Sequence, residues 1–259
     1  MYRTVWISDV HLGFKGCQAD ALVHFLKTVE CEQIYLVGDI IDVWNMKRGL
    51  YWPQAHNNVV RTILGMAKNG TRVIYVPGNH DEIFRAYNGM SFGNVQIRTR
   101  TIHTTAEGKR LLVLHGDEFD SVLKSSPILA HIGNFAYDQL LDLNYHINKA
   151  RKWMGKPYWS LAGYLKYKVK NAVSFISKYE ETLASAARHE KVDGIVCGHI
   201  HHAEIRMIKG VRYYNTGDWV ESCTALVEDE KGNITLLRLN DYAQHESSNS
   251  AANHSDQAA

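Results

Sequence analysis

No stretch of the 259-residue chain approaches the ~20 consecutive apolar residues that cross a bilayer, so no helical membrane span is expected within it. The opening residues run straight into the alternating segment Thr4 to Ser8, with no charged region leading into an apolar core, so no secretory leader is expected either. Cysteine is scarce: Cys17, Cys31, Cys197 and Cys223 form no CxxC pair. Cys197 lies in an apolar run, which suits a reduced, buried thiol and argues against a disulfide framework. Charge of one sign is also lacking. The 29 Lys and Arg against 27 Asp and Glu leave a net +2, so overall charge supports neither a nucleic-acid binder nor an acidic disordered protein. Internal repeats are absent. These gaps point to a cytoplasmic protein with no nucleic-acid partner, whose contact with a membrane would be peripheral.

What is present is a succession of short apolar runs rich in β-branched residues and tyrosine: Thr4 to Ser8, Gln33 to Val37, Arg72 to Val76, Arg110 to Leu114 and Gly194 to Cys197. They read as buried strands. Helical patterns at Gln18 to Glu30 and Gln54 to Asn69 separate the first three, and Gly70 stands where a left-handed helix end is expected. After Gly194 the runs Val211 to Asn215, Thr224 to Glu228 and Ile234 to Leu239 follow closely, the last two joined by a turn at Lys231-Gly232-Asn233. An α/β core with two sheets flanked by helices follows. Residues 121–189 break the alternation and read as an inserted helical cap, so the core is expected at 1–120 and 190–239. Residues 240–259 are small and polar and are expected to be a disordered tail.

Each of the five core strands runs into a polar cluster: Asp9-Val10-His11, Gly38-Asp39-Ile40-Ile41-Asp42, Gly78-Asn79-His80-Asp81, His115-Gly116-Asp117 and Gly198-His199-Ile200-His201. Ligands gather beyond the carboxyl ends of strands in layered α/β folds, so the clusters should converge. They offer three oxygen donors, Asp9, Asp39 and Asn79, and four imidazoles, His11, His115, His199 and His201. Seven donors exceed what one ion needs. Two ions roughly 3.5–4 Å apart and sharing one carboxylate use them all, and mixed N and O donors favour manganese, iron or zinc over calcium. Asp39, with two oxygens and a central place, is the expected bridge. Asp81 could orient His80 as carboxylates commonly do. Asp42 and Asp117 could accept from ligand histidines or loop amides.

The ordered set D-x-H, G-D-x-x-D, G-N-H-D, H-G-D and G-H-x-H, spanning Asp9 to His201, resembles the calcineurin-like metallophosphoesterase family. The resemblance implies a four-layer α/β/β/α sandwich with the helical cap inserted. It further implies one metal at Asp9, His11, Asp39 and His201, and a second at Asp39, Asn79, His115 and His199. His80 would be the non-ligand histidine that hydrogen-bonds a phosphoryl oxygen or assists the leaving group, with loop orientation as its alternative role. Catalysis would then rest on His80, Asn79 and Asp81, with two divalent ions, manganese foremost, activating water for a single in-line displacement.

The stretch 121–189 carries ten basic and four acidic residues, net +6, leaving the rest at net −4. Between Tyr145 and Ile176 these charges alternate with Trp153, Met154, Tyr158, Trp159, Tyr167 and Phe175. Such a segment is either a solvated helix pair packing its apolar stripe on the core, or an apolar groove rimmed by cations that holds an acylated phosphate compound near anionic lipid. Within the family, the cap position and the start I-S-D-V-H-L resemble the bacterial UDP-2,3-diacylglucosamine pyrophosphohydrolases. That resemblance implies a lipid-linked nucleotide substrate of lipid A synthesis and a place at the cytoplasmic face of a Gram-negative inner membrane. It also implies substrate contacts at Asn79, His80, Asp120 and His199. One departure stands out: His80 occupies the position of an arginine that would clamp a diphosphate with two parallel hydrogen bonds.

Overall fold

The computed structural model describes residues 1–123, 144–156, 158–159 and 170–239. The strand-forming runs pair into two sheets. In the first, β1 (Tyr2–Ile7), β2 (Cys31–Val37) and β3 (Arg72–Val76) lie parallel in the centre. β5 (Val95–Ile97) and β4 (Ser91–Phe92) extend one side, and β11 (Thr224–Glu228) and β12 (Ile234–Arg238) the other, giving the order β12-β11-β1-β2-β3-β5-β4. The second sheet has the order β6-β7-β8-β10-β9, built from β6 (Thr101–Thr104), β7 (Arg110–Val113), β8 (Gly194–Cys197), β9 (Glu204–Ile208) and β10 (Val211–Asn215).

Strand periodicity sorts the side chains into layers, since successive residues point to opposite faces. Val5, Ile7, Ile34, Leu36 and Val73 face the helices α1 (Ala19–Thr28) and α3 (Gln54–Lys68). Their alternates Trp6, Tyr35, Val37, Ile74 and Val76 meet Leu111, Val113 and Val196 of the second sheet. The opposite face of that sheet, Leu112, Ile195, Cys197 and Tyr213, packs on Tyr179, Leu183, Ala184 and Ala187 of α4 (Lys170–His189). Helix, sheet, sheet, helix is therefore the order of layers, as the motifs implied. α1 buries Leu22, Phe25 and Leu26 at helical spacing, and α3 buries Val59, Ile63 and Ala67. Gly70 ends α3 at φ +106°, with the Thr71 and Gly70 amides donating to the carbonyls of Met66 and Ala67. This is the paired-bond helix stop that glycine permits.

Packing of α4 shifts one expected boundary. The sequence puts the insertion at 121–189, yet Tyr179, Leu183, Ala184 and Ala187 are buried against the second sheet as parts of the outer helical layer. Helical periodicity carries no marker between an inserted helix and a core helix that follows it, which is why the two merged. Of the rest of the insertion, residues 144–153 are helical, while most of the expected cap and the 240–259 tail lie outside the described residues. β4, β5, β6, β9 and the short helix α2 (Val43–Arg48) carry no clear signal in the sequence. β4 to β6 have at most four residues each and few buried positions, too little for a period-two signal.

Candidate metal centre

Three strand ends of the first sheet and two of the second bring the expected donors together. Ligand atoms of Asp9, His11 and His201 lie within 4.8 Å of one another, and so do those of Asp39, His115 and His199. Asn79 joins the second group, its Oδ1 3.2 Å from His115 Nε2. Among the described residues, five of the eight non-glycine positions with positive φ are donors: Asp9, His11, Asp39, His199 and His201, at φ between 50° and 69°. Left-handed backbone is disfavoured for such residues and persists where the surroundings impose it, commonly at functional sites.

The space left for the donors is narrow. A Cβ on Gly78 would stand 2.2 Å from Asp39 Oδ1, 2.7 Å from the Asp39 amide nitrogen and 2.7 Å from His115 Cδ2. Only glycine lets this loop pass so close to two donors.

The donors His11, His115 and His199 are each aimed by a partner on the far side of the ring. His11 Nδ1 donates to Asp42 Oδ2 (3.0 Å), His115 Nδ1 to the Val37 carbonyl (2.9 Å) and His199 Nε2 to Asp120 (2.9 Å to each oxygen). Each bond fixes a tautomer and leaves the other ring nitrogen with its lone pair for the centre. Asp9 Oδ2 accepts from the Ser8 hydroxyl and the His199 amide, so Oδ1 is the free oxygen. It lies 3.1 Å from His201 Nε2 without the alignment of a hydrogen bond. Asp39 Oδ1 accepts from the His80 amide (2.8 Å), while Oδ2 stands 3.3 Å from His115 Nε2 and 3.9 Å from His11 Nε2. Asp39 therefore faces both donor groups, but through one oxygen rather than the two that donor counting assumed.

Two buried atoms of the first group, Asp9 Oδ1 and His11 Nε2, have no hydrogen-bond partner. Buried polar atoms rarely go unpaired, and a shared cation would satisfy both, so the residues fit a metal site. Electrostatics agree. Burial alone would raise the Asp9 carboxyl, but His201 outweighs it and holds the group at about 2. Burial opposes the charged form of His11 and His115, yet Asp42 and Asp39 raise the first to about 9, and Asp39 raises the second to about 10. Asp39 is held well below the usual carboxylate range against burial, chiefly by His115. Without an ion, protons on the imidazoles supply the positive charge that these carboxylates demand.

His80 projects its Nε2 to within 4.0 Å of Asp39 Oδ2, and its ring is sandwiched by His11 and Trp44, at centroid distances of 4.7 and 4.5 Å. Its orienting carboxylate is Asp42, whose Oδ1 accepts from His80 Nδ1 at 2.9 Å. The expectation that Asp81 orients His80 is thus corrected. Asp81 points away and accepts from the amides of Gly78, Asp39, Ile40 and Ile41 and from the Tyr75 hydroxyl. It is a clamp between two donor loops, not a catalytic residue. Burial and the nearby charge of Asp39 push its carboxyl upward, against the pull of those donors. Asp117 contacts no ligand histidine in hydrogen-bond geometry and instead forms a two-pronged pair with Arg85, 2.8 Å to each oxygen. Trp44, Ser8 and Arg85 escaped the sequence reading because none belongs to a metal-competent type.

A buried cluster of imidazole and carboxylate donors at strand ends, centred on one carboxylate, has the makings of a metal centre. The calcineurin-like phosphoesterase family model matches residues 2–203, and the chain belongs to that family. It is 24% identical over 116 residues to a UDP-2,3-diacylglucosamine hydrolase of Blochmanniella pennsylvanica, covering 44% of this chain and 46% of the relative. It is also 24% identical over 165 residues to a DNA polymerase II small subunit of Methanothermobacter thermautotrophicus, covering 50% of this chain and 33% of that one. The chain thus spans under half the length of these curated relatives. Among solved structures, the phosphoesterase Yfce of E. coli matches with a TM-score of 0.45 at 15% identity, over 92% of this chain and 93% of that one. An archaeal phosphodiesterase matches with a TM-score of 0.43 at 13% identity, over 91% and 98%.

Proposed function

We propose that the chain hydrolyses a phosphoric ester or anhydride using two divalent cations, manganese foremost, with iron and zinc as alternatives of the same donor preference. Asp9, His11, Asp39 and His201 would hold one ion, and Asp39, Asn79, His115 and His199 the other. The observation that carries the reading is Asp39 Oδ2, which stands between His11 and His115, one from each donor group. Two such ions, when bound, lower the pKa of a water and offset charge on the phosphoryl oxygens. The chain's own part is orientation and proton supply. Asp42 holds His80 with Nε2 facing the centre, where it can donate to a phosphoryl oxygen or to the leaving group. Asp120 steadies His199 at the more open edge of the site.

For the substrate we propose UDP-2,3-diacylglucosamine or a related lipid-linked nucleoside diphosphate, cleaved at the cytoplasmic face of a membrane. Support comes from the similarity to the Blochmanniella hydrolase and from the basic, aromatic segment. In its described part, Trp153 is 90% exposed and the Arg151 guanidinium lies 6.0 Å from the centre of the Trp159 ring. His80 favours a second reading, an unrelated phosphodiester or phosphomonoester, because an imidazole cannot grip a diphosphate through two parallel bonds. Purified protein with manganese should be offered UDP-diacylglucosamine and a nitrophenyl phosphodiester in parallel. Release of UMP supports the first substrate, and turnover of the generic ester alone supports the second. No turnover with any metal, together with no bound metal in elemental analysis, would overturn the enzyme reading. Asp39→Ala should lose turnover and the ions of this centre.

A further inference from the structure

A second cluster of donors lies outside this centre. Glu180 of α4, His202 and Glu204 at the start of β9 place one ligand atom each within 4.8 Å of the others. Glu180 is fully buried, and its Oε1 has no hydrogen-bond partner; the buried Nδ1 of His202 also has none. Arg206 pairs with the other Glu180 oxygen, Oε2, and lies 3.6 Å from Glu204. The guanidinium therefore offsets one of the two carboxylates and leaves the unpaired atoms as they are. His202 Nδ1 is 3.6 Å from Glu204 Oε2, too far for a hydrogen bond.

We propose that Glu180, His202 and Glu204 bind a third divalent cation of the zinc and manganese class, separate from the Asp39 centre. One imidazole and two carboxylates suit such an ion better than calcium. His202 and Glu204 are each about one-third exposed in their side chains, so water can complete the coordination. Arg206 then orients Glu180 from behind, the part a second partner commonly plays for a ligating carboxylate. The place of the site suggests its role. His202 directly follows the donor His201, and Tyr179, next to Glu180, packs its ring 5.9 Å from that of His199. An ion here ties α4 to the loop that carries two donors of the main centre, and so holds that loop against the second sheet.

The test counts ions in the full-length protein after loading with zinc alone and dialysis, by elemental analysis and native mass spectrometry. Wild type should retain three ions and the His202→Asn, Glu204→Gln double variant two. Zinc should also raise the Tm of wild type more than that of the double variant. Should the double variant fail to fold, Glu204→Gln alone gives the same readout. Asp39→Ala should keep one ion and lose it when combined with His202→Asn, which separates failure of this site from failure of the proposed function. Equal ion counts in wild type and variant would overturn the inference. So would zinc anomalous density at the Asp39 centre only, with a water between Glu180 and His202.

Discussion

Replacing Asp81 by Asn tests whether this carboxylate works as a clamp or on the chemistry. Oδ1 accepts from the Gly78 amide at 2.6 Å and the Asp39 amide at 3.3 Å, while Oδ2 accepts from Ile40 and Ile41 and from Tyr75. An asparagine keeps one acceptor oxygen and turns an NH2 donor toward the amides on the other side. Two buried amides then lack a partner, and at about 1–3 kcal/mol each the loss centres on about 4 kcal/mol. For a chain of this size that lowers Tm by roughly 8–16 °C. The released amides belong to the loops of Asp39 and Asn79, so metal affinity should fall with stability. Calorimetry and metal titration read the two quantities, and excess manganese should restore part of the turnover. The opposite pattern would refute the reasoning: unchanged Tm and metal affinity, with kcat lost and its pH profile shifted, would mean that Asp81 acts on His80 after all.

Gly78→Ala should cost about 1–3 kcal/mol and weaken metal binding, because the new methyl meets the Asp39 backbone, which cannot swing aside; an unchanged manganese titration would contradict the close approach. The metal-free protein should be most stable between about pH 4 and 6.5, as two opposite shifts require. His11 and His115 are raised above 6.5, to about 9 and about 10, so their contribution is complete below 6.5 and lost as pH rises through those values. Asp9, lowered from 3.8 to about 2, contributes above 3.8 and loses that contribution as pH falls through about 2. Thermal melts in chelator across this range check both limbs, and flat stability from pH 6.5 to 10 would reject the histidine assignment. Metal loading at neutral pH should release protons, measurable by calorimetry in buffers of different ionisation enthalpy.

The donors were legible because ligand chemistry demands residue types that ordinary turns do not, and because five strand ends repeated the signal. The central strands were legible through continuous apolar runs such as Val5 to Ile7 and Val73 to Val76. Side-chain direction was not. Asp81 adjoins His80 in sequence, yet the turn aims its carboxylate back into the sheet end, while Asp42, 38 residues away, reaches the imidazole. Adjacency along the chain says little about orientation where the backbone leaves both helix and strand. The merging of α4 with the insertion has a similar cause, since its buried stripe of Tyr179, Leu183 and Ala187 is indistinguishable by period from that of any amphipathic helix.

Asp9, His11, Asp39 and Asn79 follow strands of one sheet, whereas His115, His199 and His201 follow strands of the other. Each proposed ion therefore draws on both halves of the sandwich, and a chain whose sheets have each paired internally without docking offers no complete coordination sphere. Occupancy of the centre becomes a gauge of closure: it reports the relative placement of two independently hydrogen-bonded slabs. A substitution that lets one slab slide over the other, however far from Asp39, would register first as a weaker grip on the cations.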